Sequence, residues 1–162
     1  MVVYENPCIW RTVRLPKNYW MVVQTPENFQ ISKDLGFTAH GLKPKYRRRA
    51  QRMEPDDLML FYVSGLRKWT ATAVVKSNRY EDRTPIWQTR PKDDHFPYRV
   101  KIAPDIVLDE SEYIDGLEIG PRLEYLKRWP PDMWHLAFFD SLHLLPQKDF
   151  RLIEGEMKRI LS

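Results

Sequence analysis

The densest group of residues able to bind an anion lies in residues 43–52. This segment holds six Lys or Arg side chains and no acidic one in ten positions. A helix over residues 45–53 would align four of these cations on one face, where they could contact nucleic-acid phosphates without reading sequence. A solvated helix surface has the same composition, so the segment alone leaves both interpretations open. The candidate phosphate-binding residues are Lys43, Lys45, Arg48, Arg49 and Arg52.

Aromatic side chains form the second group with potential chemistry. The chain has six Trp, eight Tyr and seven Phe, and several of them stand beside polar loop residues instead of within apolar runs. Flat rings can sandwich a base, and stacking contributes about 1–3 kcal/mol per base. Most single aromatics pack in a core, so only convergence of several rings would indicate a pocket. The candidates are Phe37, His40, Tyr62, Trp87, Phe96 and Tyr98.

The sequence offers little framework for catalysis. His135, Asp140, Ser141 and His143 lie close together, but no Gly-x-Ser-x-Gly elbow accompanies them and triad members are usually distant in sequence. Six glycines form neither a phosphate-binding loop nor a dinucleotide fingerprint. Cys8 is the only cysteine and the four histidines lack metal-ligand spacing. We therefore expect no enzyme activity, no metal and no cofactor.

Composition and charge place the chain among ordinary globular proteins. Apolar residues make up 43% and charged residues 30% of the 162 positions, and no apolar run approaches the ~18 residues of a membrane span. The N-terminus lacks the features of a secretory signal, so we expect a cytoplasmic protein without membrane attachment. Residues 1–101 carry 19 basic against 10 acidic side chains, whereas residues 102–162 carry 7 against 12. This asymmetry predicts a basic face that attracts a polyanion.

Periodicity and turn signals predict one domain that contains both strands and helices. Thr25, Pro26 and Glu27 start a short helix that ends at Gly36. Residues 1–17 lack a period and are interpreted as an irregular extension, and residues 79–95 as a long ordered loop around Trp87. The predicted strands are 19–24, 58–63, 69–75, 98–102 with a continuation at 106–108, and 133–139; further helices are predicted at 45–53, 122–127 and from Pro146 onward.

Several motifs, in order along the chain, resemble the EVE domain. The first is residues 19–28, YWMVVQTPEN, followed by Gly41 before the basic segment and by residues 53–62, MEPDDLMLFY. Residues 95–102, HFPYRVKI, are similar to that family's Tyr-Pro-Tyr-Arg-Val strand, residues 128–131 to its Trp-containing loop, and residues 145–153 to its closing helix. The resemblance predicts an extension over residues 1–18 and an EVE domain over residues 19–162.

The resemblance implies a fold and a function. EVE domains belong to the PUA-like superfamily together with YTH domains, which implies an α+β fold: a mixed β-barrel flanked by short α-helices. It also implies a non-catalytic nucleic-acid-binding module that captures a modified or flipped-out base in an aromatic pocket. The partner would be DNA or RNA, with the base, the oligomeric state and the pathway left open. The pocket residues that the resemblance implies are Gln24, Thr25, Asn28, Phe37, Thr38, His40, Tyr62, Trp87, Phe96 and Tyr98.

One position departs from the family pattern. Related domains often place Trp just before the glycine of the turn, where this chain has His40 followed by Gly41. His40 could stack on a base and also hydrogen-bond to its edge, or Phe37 could supply the wall while His40 points away. Two alternatives to a base pocket remain at this stage. One is a module that binds a small anionic ligand or a protein; the other is an enzyme acting on a base, with His40 as the only candidate general acid or base.

Overall fold

The computed structural model describes residues 15–162 and the backbone of residues 2–6 and 9–13. Strands β1 (Val2–Asn6) and β2 (Ile9–Val13) pair antiparallel with each other. The prediction of an irregular segment over residues 1–17 is therefore wrong for these ten residues. In the described part of the chain, no helix has the length and apolar character needed to cross a membrane.

A second, eight-stranded mixed sheet forms the body of the protein. Its strands are β3 (Tyr19–Gln24), β4 (Ala39–Leu42), β5 (Leu58–Val63), β6 (Lys68–Val75), β7 (Tyr80–Glu81), β8 (Tyr98–Val107), β9 (Ile114–Asp115) and β10 (Leu142–Leu145). The six main strands lie in the order β10, β3, β5, β6, β8, β4, while β7 pairs with β8 and β9 with β6. β3 and β5 are parallel and the other neighbours are antiparallel.

Side chains alternate across this sheet and build one apolar cluster on each face. In β3, Trp20 and Val22 belong to the first cluster, which includes Phe29, whereas Tyr19 and Met21 belong to the second cluster on the other face. Successive residues of a strand point to opposite faces, so β3 and β5 read as continuous apolar runs because both of their faces are covered. The predicted α+β fold is confirmed: the sheet curls into a half-barrel with short helices around it.

Two helices cover opposite faces of the sheet. α1 (Pro26–Asp34) begins as predicted, with the Thr25 hydroxyl accepting from the Asn28 amide at 3.2 Å. Leu35 caps its C-terminus, and Gly36 follows with a φ of 70°, in the left-handed region that commonly terminates a helix. Phe29 of α1 packs in one cluster, whereas α4 (Gln147–Leu161) buries Phe150 in the other. The remaining α-helices are α2 (Arg47–Ala50) and α3 (Gly116–Ile119).

Local patterns were misleading in two segments. Residues 44–50 form a 3₁₀ turn, Pro44–Tyr46, followed by the four residues of α2, so the predicted helix over 45–53 is largely wrong. Residues 134–138 are a 3₁₀ helix and not a strand. Trp134 and Phe138 are residue types that favour strands, but in this protein they pack into the second cluster from a 3₁₀ helix. Two edge strands, β4 and β10, were not predicted because each is only four residues long.

Candidate functional site

An open cavity of about 420 Å³ lies at the C-terminal end of β3. Its other walls are the first turn of α1, strand β4 and residues 87–96 of the cavity loop, which comprises residues 82–96. The lining residues are Val23, Gln24, Thr25, Glu27, Asn28, His40, Gly41, Leu42, Lys43, Trp87, Gln88, Thr89, Arg90, Asp93, Phe96 and Ser141. Six of the ten predicted pocket residues are therefore brought together around one cavity: Gln24, Thr25, Asn28, His40, Trp87 and Phe96.

Ser32 of α1 holds two of these side chains in place. Its buried hydroxyl oxygen accepts a hydrogen bond from the Trp87 indole at 3.0 Å and another from the Gln24 amide at 2.9 Å. The Gln24 amide oxygen is buried and has no hydrogen-bond partner among the described residues. Gln24 and Trp87 are thus fixed relative to each other by a single serine on a helix.

Asn28 clamps the cavity loop to α1. Its side chain donates to the Gln88 carbonyl at 3.0 Å and accepts from the Gln88 amide at 2.7 Å. The Asn28 side-chain amide thus bonds both backbone polar groups of Gln88, as a neighbouring strand would, and this pair of bonds positions Trp87, the residue before Gln88. The resemblance assigned Asn28 to hydrogen bonding with a base edge, but both ends of its amide are engaged by Gln88.

His40 lies deep in the wall that β4 contributes. It is 3% exposed, its ring meets Phe61 edge-on at 5.7 Å, and Nδ1 has no hydrogen-bond partner in the described part of the chain. Burial lowers the pKa of His40 to about 3, because an apolar environment disfavours the charged imidazolium. The ring is therefore neutral at physiological pH, with one nitrogen able to accept.

Gly41 allows Trp87 and Phe96 to approach the backbone of β4. A Cβ atom at this position would lie 2.6 Å from Trp87 Cζ3, 2.9 Å from Phe96 Cβ and 3.0 Å from the Phe96 carbonyl oxygen. Two of these neighbours are a ring wedged in the cavity wall and a backbone atom, so neither can move aside easily. The glycine in the family motif thus has a steric cause in this chain.

Replacing Gly41 with alanine should therefore destabilise the protein and displace the cavity wall. Overpacking of this kind costs about 1–3 kcal/mol in the free energy of unfolding, measurable by urea denaturation. Gly155→Ala is the matched control, because its Cβ would meet nothing within 4 Å and it lies within a helix. That control should stabilise the protein by up to about 1 kcal/mol. Equal effects of the two substitutions would contradict the steric argument.

Arg99 of β8 secures the opposite side of the cavity loop. It is 1% exposed, and its guanidinium donates to the carbonyls of Thr84, His95 and Phe96, the last at 3.1 Å. The guanidinium carbon also lies 5.2 Å from the Trp87 ring centre. A ligand stacking on Trp87 would have to use the face that Arg99 does not cover.

The loop next to Arg99 stores backbone strain. Asp94, His95 and Phe96 are three successive non-glycine residues with φ values of 47°, 59° and 54°. Left-handed backbone is uncommon outside glycine, and such residues persist only where the surroundings determine their conformation. Arg99 binds the carbonyls of two of these residues, His95 and Phe96, and Arg83 pairs with the carboxylate of the third, Asp94, at 2.7 Å.

Charged side chains surround the mouth of the cavity. Lys43 lies 3.8 Å from the buried carboxylate of Asp93, which Arg90 also approaches to 3.7 Å. Burial lowers the pKa of Lys43, and the charge of Asp93 opposes that shift. Glu27 also lines the cavity, so the two cations of the lining are balanced by two carboxylates. Lys92, which precedes Asp93 in the sequence, is exposed.

Four of the predicted pocket residues do not line the cavity, so their predicted position is wrong. Phe37 packs against Phe29 and Phe61 within the first cluster. Tyr62 follows Phe61 in β5, so the period of two turns it to the opposite face, against Trp69 and Phe138. The other two are Thr38, which is exposed and bonds to the Leu35 carbonyl, and Tyr98, which is buried in the first cluster beneath the Arg79 guanidinium.

The predicted phosphate-binding residues divide into three situations. Lys43 belongs to the cavity. Lys45 pairs with Asp140 at 3.0 Å, and Arg49 donates to the Leu142 carbonyl at 3.0 Å, so both cross to the start of β10. Arg48 and Arg52 are exposed and make no ion pair with another described residue. Because α2 has only four residues, the four cations of the predicted stripe do not share one helical face.

The His-Asp-Ser group near β10 has a structural role. His143 is bonded through Nδ1 to the Tyr125 hydroxyl and through Nε2 to the Asp140 carbonyl, both at 2.8 Å. Burial is the main cause that lowers the pKa of His143. Its two nitrogens are thus both occupied, and neither contacts a serine hydroxyl. Ser141 instead reaches the cavity, which sequence analysis had not assigned to it.

Comparison with known proteins supports the resemblance. The EVE domain family model matches residues 18–138. A UPF0310 protein of Pyrococcus abyssi is 26% identical over 146 residues, covering 85% of this chain and 98% of that protein. The chain is also similar in fold to the YTH domain of the Zygosaccharomyces rouxii MRB1 protein, solved in complex with N6-methyladenosine RNA. That likeness has a TM-score of 0.62 and 15% identity, and it covers 91% of this chain and 92% of that chain.

A bacterial structure shows the same fold. Rpa0253 from Rhodopseudomonas palustris has a TM-score of 0.57 and 17% identity, covering 88% of this chain and 94% of that chain. The match to the family model spans most of the sequence, including β3 through β9 and the whole cavity loop. The chain belongs to the EVE domain family, with a fold shared with YTH domains.

Proposed function

We propose that this chain is a non-catalytic nucleic-acid-binding module that captures a modified or flipped-out base in the cavity at the end of β3. The observation that carries the proposal is the convergence of Gln24, His40, Trp87 and Phe96 on one open cavity of about 420 Å³. This volume lies within the range of small-molecule sites, about 300–1,000 Å³. Indole and phenyl rings supply stacking surface, while amide and imidazole groups can discriminate a base edge.

The relatives support the same class of function. The structure of the Zygosaccharomyces rouxii YTH domain contains an RNA with a modified adenine, and its fold is similar to this one. Cations at the cavity rim and along residues 43–52 would contact phosphates beside the captured nucleotide. Lys43 and Arg90 are the cations of the cavity lining, and Arg48 is exposed beyond it.

The state of His40 supports a binding role without catalysis. A general base works best when its pKa lies near the operating pH, whereas burial lowers the pKa of His40 to about 3. A neutral imidazole can still accept a hydrogen bond from a base edge. Product formation from a modified oligonucleotide, lost in His40→Ala, would contradict the non-catalytic assignment.

A binding titration against modified DNA and RNA oligonucleotides tests the proposal. We expect one modified base to be preferred and the affinity to fall with salt, by a log–log slope of about 0.7 per neutralised phosphate for single strands. Arg48→Glu should weaken all sequences alike and reduce that slope, because phosphate contacts carry no sequence information. Lys158→Glu on α4 is the matched control and should leave binding unchanged.

Two results would contradict the proposal. If the affinity for a free nucleotide is insensitive to salt and no lower than that for an oligonucleotide, the cavity is a small-ligand site. Equal affinity for every modified and unmodified base would show that the cavity does not select a base.

A further inference from the structure

Phe139 is exposed far more than any other large apolar side chain in the described part of the chain. Its relative exposure is 90%, whereas the next, Leu117, is 57% exposed. Its backbone is nevertheless held, because the Phe139 amide donates to the Leu136 carbonyl at 3.3 Å. A ring presented to solvent from a fixed turn is available to contact a ligand.

The segment that carries Phe139 is anchored beside the cavity. Ser141 lines the cavity, and its amide donates to the Tyr46 hydroxyl at 2.7 Å. Two residues of chain span at most about 7 Å, so the Phe139 backbone lies within that distance of Ser141. The ring is therefore attached to the backbone only two residues from the cavity lining.

Cations flank this segment on the side of residues 43–52. Lys45 pairs with Asp140 at 3.0 Å, and Arg49 reaches the Leu142 carbonyl at 3.0 Å. The Lys45 side chain remains more than half exposed in that ion pair. The Asp140 carboxylate balances one of these two cations, and the exposed Arg49 leaves a net positive charge beside the ring. An exposed aromatic ring next to net positive charge is the combination that proteins use to bind single-stranded nucleic acid.

We propose that Phe139 stacks on the base of a nucleotide adjacent to the one in the cavity, so that the site takes a single-stranded segment of at least two nucleotides. This inference rests on the proposed function of the cavity. Lys45 contacts the phosphate between the two nucleotides. The charge beside the ring favours nucleic acid over a protein partner, although Leu136 and Met133 on the same segment are also partly exposed.

The test compares two probes in the full chain. One is N6-methyladenosine 5′-monophosphate, and the other is a single-stranded RNA pentanucleotide with N6-methyladenosine at its centre. The wild type should bind the pentanucleotide more tightly. Phe139→Ala should weaken pentanucleotide binding about 5- to 150-fold and leave mononucleotide binding unchanged, since stacking on one base is lost. Phe139→Tyr should retain most of the affinity, and Leu136→Ala is the matched apolar control.

The outcomes separate this inference from the proposed function. If Phe139→Ala and Leu136→Ala change the affinity for the pentanucleotide equally, the stacking role of Phe139 is overturned, but the cavity assignment remains intact. If the affinity for the pentanucleotide depends on Phe139 but the methylated base is not preferred, the cavity assignment is overturned and the stacking role of Phe139 is supported. No binding by the wild type of either probe or of any oligonucleotide in the modified DNA and RNA panel would overturn both. A wild-type dimer in sedimentation that Phe139→Ala dissociates, with RNA binding unaffected, would assign the ring to self-association instead.

Discussion

Trp87→Ala should abolish the preference for a modified base over its unmodified counterpart. The indole lines the cavity, and removal of one stacking surface costs about 1–3 kcal/mol, or roughly 5- to 150-fold in affinity. Loss of this 5% exposed ring should also lower the free energy of unfolding by about 3–5 kcal/mol, as for other buried tryptophans. The ratio of dissociation constants for the two oligonucleotides measures the first effect, and urea denaturation the second.

A milder pair of variants separates binding from stability. Trp87→Phe keeps a ring but loses the hydrogen bond to Ser32. Trp69→Phe is its matched control, because Trp69 is also buried and its indole donates to Met21 Sδ, but it lies in the second cluster. We expect the base preference to fall in Trp87→Phe alone. An unchanged preference in both Trp87 variants would show that the base binds elsewhere.

The sequence predicts the body of this fold because its central strands have unambiguous patterns. β3 and β5 were predicted with the bounds that the structure shows, since each is an apolar run that ends at turn residues. The cap at Thr25 and the stop at Gly36 likewise follow from local hydrogen bonding and backbone conformation. These signals depend on neighbours in sequence and need no knowledge of the tertiary structure.

The candidate site is less predictable because it depends on contacts between distant segments. Ser32 and Arg99 both contact Trp87 and hold it in place. In a single sequence, a serine within a helix and an arginine within a strand give no indication of such contacts. Arg99 does belong to the Tyr-Arg-Val motif of the family resemblance, which would have been the signal. Gln88, Arg90 and Asp93 were predicted only as part of a loop, and the structure brings all three to the cavity.

Strand period explains one further error. The family resemblance implies Tyr62 as a pocket residue, but Tyr62 and Phe61 are adjacent in β5 and face opposite sides of the sheet. Phe61 is the member of that pair that meets His40, at 5.7 Å. A family motif thus located the correct strand, and the alternation along it selects which side chain supports the cavity.

The loop over residues 82–96 links this structural support to the proposed function. Asn28 pairs with Gln88 at one end of the cavity, while Arg99 binds three carbonyls at the other. Trp87 is therefore held by side chains from a helix and a strand, although it lies in a loop itself. Such fixed positioning reduces the conformational entropy that a flexible loop would lose on binding.

Arg99→Met should consequently have the largest effect on this loop. The substitution keeps an unbranched side chain but leaves the carbonyls of Thr84, His95 and Phe96 without their donor and removes the ion pair with Asp82 at 3.5 Å. Unpaired buried polar groups cost about 1–3 kcal/mol each, whereas the Asp82 side chain is 41% exposed and is solvated by water once its partner is gone. We expect the free energy of unfolding to fall by roughly 3–5 kcal/mol.

Lys101→Met provides the matched control, because it removes the same charge two positions later in β8 from an exposed side chain. It should change stability by less than about 0.5 kcal/mol. Arg99→Lys retains the charge but not the forked donor geometry, so its loss should lie between those of the two Met variants. Amide hydrogen exchange should show faster exchange over residues 82–96 in Arg99→Met. If that loop stays as protected as in the wild type, then the strained residues 94–96 are held by other contacts and Arg99 acts only through its charge.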